Sequence, residues 1–196
     1  MPNSLFSFDQ DVKTNACIIH GYSSTQYYMN GYKKAADILV EKIKKTGKNQ
    51  DVLVYPIAFL YGQYIELFLK NAIKESRRLL NEPGTFPKHH KKITLWATAK
   101  SLLKKISEKV NVNEKDFITK KDFITVEKIL NDYTEIDPYS DSFRYPENKN
   151  GNQSIAHDHI NLTKLSAQMQ NLAIIFDKFL LEIGIYQDIQ SDMNID

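Results

Sequence analysis

The polar side chains of one strongly apolar segment, residues 51–80, fall on a single line at helical spacing. Steps of three or four residues separate its members, which are Gln63, Glu66, Lys70, Lys74 and Arg77. This spacing places them on one face of a helix, and Glu66 and Lys70 have the i,i+4 order that favours an ion pair. Such a line is typical of the solvated strip of a core helix. The alternative is a groove, in which Glu66 would orient a base or an arginine and Lys70 would contact phosphate.

Histidines supply the other groups able to do acid–base chemistry or to bind a metal. His89 and His90 stand in the loop "PKHHKK", whose three lysines repel a cation. His157 and His159 would point the same way on an extended chain, but no third ligand accompanies them, and zinc sites need at least three. We therefore expect no metal and no cofactor, and we interpret the second pair as polar residues ahead of a helix.

The segment "IDPYSDSFRYPENKNG" gathers prolines and large rings around Arg144, one of the few arginines in the chain. On an extended chain Phe143 and Tyr145 would bury their rings, and Arg144 would point to the opposite side. We expect its guanidinium to pair with Asp137 or Asp141 and so fix the segment. The alternative is an arginine held out for phosphate or for a partner.

Composition excludes several classes of protein. The chain has 26 basic and 24 acidic residues, a net charge of +2, so it is not built to coat nucleic acid, although a local basic patch remains compatible. The single cysteine, Cys17, allows no internal disulfide and is expected to be a small buried hydrophobe. The sequence has no signal-peptide pattern and no apolar run of about 20 residues. We predict a cytoplasmic protein without a membrane segment.

The elements that position these residues are helices. Apolar residues recur at steps of three and four over the segments 24–46, 51–80, 93–110, 120–136 and 161–186. We predict an all-α, up-and-down bundle of four to five helices with one extended loop or short hairpin at about 137–160. The predicted organisation has three parts: an N-terminal extension at 1–23, the bundle at 24–186, and a flexible acidic tail at 187–196.

The apolar stripes within these helices predict the buried faces. The first stripe comprises Tyr28, Tyr32, Ala35, Leu39 and Ile43, and the most regular one comprises Leu162, Leu165, Met169, Leu172, Phe176, Phe179 and Ile183. The segment 51–80 is apolar on nearly every side, which is typical of the centre of a bundle. Between the first two helices, Gly47 suits a left-handed C-cap and Asp51 suits the next N-cap.

Two pieces of the chain together resemble a known family. One is "PIAFLYGQYIELFLKNAIK", a proline followed by an E-L-x-x-K helix, and the other is "DPYSDSFRYPENKNG". The loop "KHHKKITLW", which begins a helix with a tryptophan, lies between them. This order, over about residues 52–185, is similar to that of bacterial proteins with a HEPN-like domain (higher eukaryote and prokaryote nucleotide-binding). The resemblance implies a bundle of four or five helices, often a homodimer, with roles in phage defence, toxin–antitoxin pairs and RNA handling.

The resemblance does not extend to a catalytic motif. Many active family members are metal-independent RNases in which an arginine precedes a histidine with four to six residues between them. The arginine would stabilise phosphate charge and the histidine would serve as acid or base. None of the five histidines here has an arginine at that distance, and Lys13 ahead of His20 is the nearest substitute. No catalytic residue can therefore be carried over.

Three functional hypotheses follow. The leading one is a non-catalytic HEPN-like helical module that binds a partner protein, RNA or a nucleotide, in a bacterial defence or toxin–antitoxin-type system, as a homodimer. The alternative is a metal-independent RNase whose site is rearranged across a dimer interface. The third is a structural subunit without a ligand. The candidate ligand or RNA contacts are Glu66, Lys70, Arg78, His89, His90 and Arg144.

Overall fold

Helices account for most of the chain in a computed structural model, which describes residues 11–21, 24–84, 86–110 and 118–193. The five helices are α1 (Ser24–Thr46), α2 (Gln50–Leu79), α3 (Lys92–Val110), α4 (Lys120–Ile136) and α5 (Leu162–Met193). The described residues form no β-strand, and the prediction of an all-α bundle is confirmed.

The helix at the centre of the bundle is α2, which contacts α1, α3 and α5. Its Ile65 and Leu69 are completely buried, and its Phe68 stacks on Phe176 of α5 with 3.5 Å between the ring centres. By length and composition α2 could cross a membrane, with a mean hydropathy of 1.5 over its most apolar window, but half of that window is buried in the bundle. A core helix of a soluble bundle has the same properties.

Tyr133 sets the close approach of α4 to α2. Its hydroxyl donates to the carbonyl of Ala58, and a Cβ atom at Gly62 would lie only 2.7 Å from the Tyr133 hydroxyl. Burial raises the pKa of Tyr133 well above its ordinary value, so the phenol stays protonated and keeps donating. Gly62 is therefore required by packing rather than by backbone conformation.

The predicted stripe on α5 is largely confirmed, but the stripe on α1 is displaced by one residue. Tyr28 is exposed, whereas Met29, Ala36 and Val40 are buried. Both lines satisfy helical spacing, because apolar residues stand side by side in this segment. Contact with α2 and α5 selects the Met29 line, and the sequence pattern does not contain that information.

The boundary between α1 and α2 follows the prediction only in part. Gly47 adopts φ 64° and donates its N–H to the carbonyl of Ile43 at 2.7 Å, as expected of a left-handed C-cap. The N-cap of α2 is Asn49, whose φ is 65° and whose side chain makes no capping bond. Asp51 lies inside the first turn, so the prediction that it caps α2 is wrong. A chain reversal of only three residues, 47–49, leaves no room for a longer lead into the helix.

At the other end of the molecule α5 continues to Met193. Residues 187–193 are therefore helical, and the predicted tail begins too early. The added turns are held by a polar contact, because Gln190 Nε2 donates to the carbonyl of Leu79 at 2.6 Å. Hydropathy cannot predict such a contact between distant helices. Residues 194–196 lie outside the described residues.

Residues 137–161 form the longest non-helical stretch among the described residues. A single antiparallel bridge between Glu147 and Gln153 closes a short hairpin turn, as predicted. The side chain of Asn148 accepts from the backbone N–H groups of Asn150 and Asn152 at 2.9 and 3.1 Å. These bonds shape the turn that carries Gln153 back toward the bundle.

The described part of the N-terminal extension, residues 11–21, is not helical. Cys17 is exposed there, so the expectation that it is buried is wrong. Exposed Ile18 and Ile19 follow it, and they lie near Tyr27 and Tyr28 of α1. The segment packs at the margin of the bundle and not in its core. The expectation of burial rested only on the apolar neighbours of Cys17 in the sequence. Residues 1–10, 22 and 23 lie outside the described residues.

Candidate functional site

Glu66 and Lys70, two members of the polar line on α2, are buried rather than solvated. Glu66 is 4% exposed and Lys70 is 5% exposed, and Lys70 Nζ lies 2.9 Å from Glu66 Oε1. The connection between α2 and α3 covers them, with the Phe86 ring centre 5.5 Å from Lys70 Nζ. Removing either charge would leave the other buried and unpaired, at high cost. At this point the polar line is covered by protein, so it is neither a solvated strip nor an open groove in which Lys70 could contact phosphate.

The connection between α2 and α3 lies close to α2 because Gly84 permits it. Gly84 has φ 140°, and a Cβ atom there would lie 2.6 Å from Nη1 of Arg77. The N–H of Glu82 also donates to the carbonyl of Arg77 at 2.9 Å. Arg77, the last member of the polar line, therefore packs beneath the connection that carries His90.

His90 is the exposed partner of the buried Glu66. Its Nδ1 lies 2.7 Å from Glu66 Oε1, and its side chain is 63% exposed. Because a carboxylate only accepts, Nδ1 carries the proton in this contact, and Nε2 stays available. Glu66 Oε2 is buried, and no described residue forms a hydrogen bond with it. A carboxylate that fixes the tautomer of an accessible imidazole is an arrangement that can support general acid–base chemistry.

Lys92, the first residue of α3, is a buried cation that ties α3 to the segment after α4. It is 1% exposed, and its Nζ donates to Ser140 Oγ at 2.6 Å and to Asp137 Oδ2 at 3.3 Å. The Ser140 hydroxyl donates in turn to the carbonyl of His90 at 2.9 Å. Burial lowers the pKa of Lys92, and the charge of Asp137 opposes this change. This network holds residues 137–144 against the loop that carries His90.

Arg144 is exposed, but it does not pair with Asp137 or Asp141, so that prediction is wrong. Asp137 is committed to Lys92 instead. The Arg144 guanidinium lies 5.5 Å from the centre of the Tyr145 ring, and no carboxylate in the described part of the chain forms an ion pair with it. Arg144 lies near enough to Lys92 for its charge to contribute to the lowered pKa of that residue.

Only one of the two rings expected to be buried around Arg144 is buried. Phe143 packs against Tyr133, with 6.3 Å between ring centres, whereas Tyr145 is exposed. The reason is local backbone geometry, because the N–H groups of Arg144 and Tyr145 both donate to the carbonyl of Asp141, at 2.9 and 3.2 Å. Alternate side chains share a face on an extended chain but not in such a turn.

Three cations around this network each lie beside an exposed aromatic ring. The pairs, with cation-to-ring-centre distances of 5.5, 5.8 and 5.5 Å, are Lys70–Phe86, Lys91–Tyr139 and Arg144–Tyr145. Direct contacts join them, since Lys70 and His90 share Glu66, and Ser140 links His90 to the segment with the two tyrosines. We refer to these six residues together with His90 as the cation–ring surface.

Two neighbouring clefts flank residues 142–163. One has a volume of about 410 Å³ and is bounded by Tyr55 of α2, Arg144, Tyr145 and Gln153. The other, of about 440 Å³, reaches His157 and His159. Within the described ranges no group of three His, Cys, Asp or Glu side chains is placed to hold a metal ion.

The structure brings together some of the predicted candidates and separates others. Glu66, Lys70 and His90 are in direct contact, and Arg144 lies close to their network. His89 is exposed beside His90 and belongs to none of these contacts. Arg78 is directed elsewhere, with its Nε 3.0 Å from Oε2 of Glu75 and its Nη2 3.3 Å from Oε1 of Gln187 on α5.

Sequence reasoning missed the buried network of Lys92, Asp137 and Ser140. A signal was present, because Lys92 lies four residues before Trp96 and so on the same helical face as Trp96, Ala99 and Leu103, which are buried. A lysine on the core face of a helix implies a buried anionic partner. The identity of that partner depends on how the segment after α4 returns, which the stripe does not specify.

No known protein family model, curated protein or solved structure matches this chain.

Proposed function

We propose that this chain is a HEPN-like helical module that binds single-stranded RNA without cleaving it. The observation that carries the proposal is that two exposed cations of the cation–ring surface, Lys91 and Arg144, each lie beside an exposed ring. Sites for single-stranded nucleic acid combine cations for the phosphates with rings on which bases stack. A role in a bacterial defence or toxin–antitoxin-type system is part of the proposal and rests on the sequence resemblance alone.

The phosphate contacts of this surface are few. Lys70 is neutralised by Glu66 and buried, so its charge contributes little outside the protein. Arg144 and Lys91 are exposed and are the principal cations for phosphate. Two phosphate contacts on a single strand predict that log K falls with log salt with a slope of about −1.4.

Fluorescence anisotropy with a labelled single-stranded RNA, measured over a range of salt concentrations, tests the proposal. Arg144→Ala should weaken binding and reduce the salt slope by about 0.7, the contribution of one phosphate contact. Its melting temperature should stay close to that of the wild type, because an exposed side chain that forms no ion pair with a described carboxylate contributes little to stability.

The matched control is Lys109→Ala. Lys109 is an exposed lysine near the far end of α3, about 25 Å along the helix from Lys92. It should bind RNA as the wild type does. Absence of salt-dependent RNA binding by the wild type, or equal binding by the Arg144 variant, would refute the proposal.

A metal-independent RNase remains the second candidate, and one observation favours it. Glu66 holds His90 through Nδ1, so that Nε2 is free to take a proton from a ribose hydroxyl. Incubation of RNA with the protein in excess EDTA tests this candidate. Cleavage that disappears in His90→Ala, with RNA binding retained, would establish the RNase and exclude the non-catalytic proposal.

The homodimer stays a prediction, but a different surface now supports it. The apolar faces of α2 are covered by α1, α3 and α5 within one chain, so they no longer argue for a partner. An exposed apolar patch of Ile18, Tyr27 and Tyr28 is where a second copy would pack. Sedimentation equilibrium that gives the monomer mass of 22.7 kDa at micromolar concentration would exclude the dimer.

A further inference from the structure

The cleft of about 410 Å³ beside Arg144 has the size of a small-ligand site. Its floor is Phe143, which is buried and anchored on Tyr133 of the core. Its walls include Tyr55 from the second turn of α2 and Tyr145 from the loop, both of which are exposed. The floor is therefore part of the rigid core, while two accessible rings form the sides.

Two tyrosine rings, a guanidinium and a side-chain amide line this cleft, and the packing of the described residues does not explain their presence there. The rings of Tyr55 and Tyr145 are more than half exposed, at 51% and 57%. The Arg144 guanidinium forms no ion pair with a described carboxylate. Gln153 joins the hairpin through its backbone bridge to Glu147, and its side-chain amide forms no hydrogen bond with any described residue. Each of these groups is free to engage a ligand.

We infer that this cleft binds one nucleotide of the RNA strand, with its base against Tyr55 or Tyr145 and its phosphate at Arg144. Aromatic rings stack on any base, a guanidinium matches a phosphate through its planar fork, and an amide both donates to and accepts from the edge of a base. The shared chemistry is a base joined to a phosphate, which an RNA strand or a free nucleotide can supply. This inference rests on the proposed function, and it assigns base recognition to a place apart from His90.

The test compares an oligoadenylate of about 10 nucleotides, within the range of single-strand site sizes, with an abasic ribose–phosphate chain of equal length. Both chains carry the same charge, so any difference in affinity reports on the bases. The wild type should bind the oligoadenylate more tightly than the abasic chain. Tyr55→Ala and Tyr145→Ala should each weaken oligoadenylate binding by about 5- to 150-fold, and should leave binding of the abasic chain unchanged.

Two further sets of variants separate stacking from other effects. Tyr55→Phe and Tyr145→Phe keep the rings and should retain most of the affinity, which also shows that the cleft still folds. Leu181→Ala is the control, because Leu181 is an equally exposed apolar side chain, at 51%. It lies about 28 Å along α5 from Leu162, which borders the neighbouring cleft. Its loss should not change binding.

The outcomes distinguish this inference from the proposed function. If the wild type binds both chains equally, or if the tyrosine variants match it while Arg144→Ala fails, the cleft is not a base site although RNA binding stands. If no oligomer binds but adenosine monophosphate binds in a manner that requires Tyr55, the cleft is a site for a free nucleotide. The RNA proposal then falls together with the assignment of the cleft to an RNA strand. If neither oligomer nor adenosine monophosphate binds, both fall.

Discussion

Replacing Lys92 with methionine tests whether the buried network holds the candidate site in place. Methionine fills a similar volume and leaves the core face of α3 apolar, but it removes the partner of Asp137. That carboxylate is 4% exposed and keeps a single backbone hydrogen bond, from Ser142 N–H at 3.0 Å. One backbone donor does not replace a cation, so the variant contains a buried unpaired charge.

The expected loss is large. Breaking a buried pair from one side costs about 3–5 kcal/mol, and about 1 kcal/mol lowers the melting temperature of a domain of this size by about 2–4 °C. Lys92→Met should therefore melt about 6–20 °C below the wild type. The adjacent Lys91 is exposed, so Lys91→Met is a matched control and should melt within about 2 °C of the wild type.

A double variant identifies the unpaired carboxylate as the cause. Lys92→Met combined with Asp137→Asn should be more stable than Lys92→Met alone, because no charge is left buried. Thermal unfolding followed by circular dichroism measures the difference. A melting temperature of Lys92→Met equal to that of Lys91→Met, or a double variant less stable than either single variant, would contradict this explanation.

The folding stability of the wild type should also depend on pH through Lys92. Burial lowers the pKa of Lys92 below its ordinary 10.5 in the folded state, so the unfolded chain binds that proton more strongly. Stability contributed by this group therefore rises with pH between the folded pKa and 10.5. Chemical denaturation at increasing pH should show this rise in the wild type and its loss in Lys92→Met.

The remaining predictions concern the scaffold. Burial acts to raise the pKa of Asp122, but hydrogen bonds with Thr119 and the charge of Lys178 outweigh it, so the pKa is lowered. Asp122→Asn should therefore destabilise the protein by about 1 kcal/mol at neutral pH, and this difference should disappear as the pH falls through that pKa. Urea denaturation at two pH values measures it. Gly62→Ala should destabilise the bundle by about 1–3 kcal/mol, because its Cβ would clash with the Tyr133 hydroxyl; a melting temperature equal to that of the wild type would contradict this. Cys17 is exposed and should react with a thiol reagent in the native protein as fast as in denaturant.

The helical pattern alone predicts much of the fold. Steps of three and four place α1, α3 and α4 within one residue of their observed ends, because amphipathic spacing and end signals such as Gly47 are local properties. The end of α5 was missed because Gln190 is held by Leu79, a contact between residues far apart in the chain. Local pattern cannot contain that interaction.

For the candidate site too, the sequence determined one part and the tertiary structure decided the other. Helical spacing alone placed Glu66 and Lys70 together, and the sequence marked His90 and Arg144 as chemically distinctive. Only the tertiary structure decided that Glu66 meets His90 and that Asp137 pairs with Lys92. It also decided that no carboxylate in the described part of the chain forms an ion pair with Arg144. Several carboxylates and many lysines lie within reach of one another along the chain. Which of them pair depends on how loops 81–91 and 137–144 pack on α2 and α3, because burial makes a mispaired charge too costly to keep.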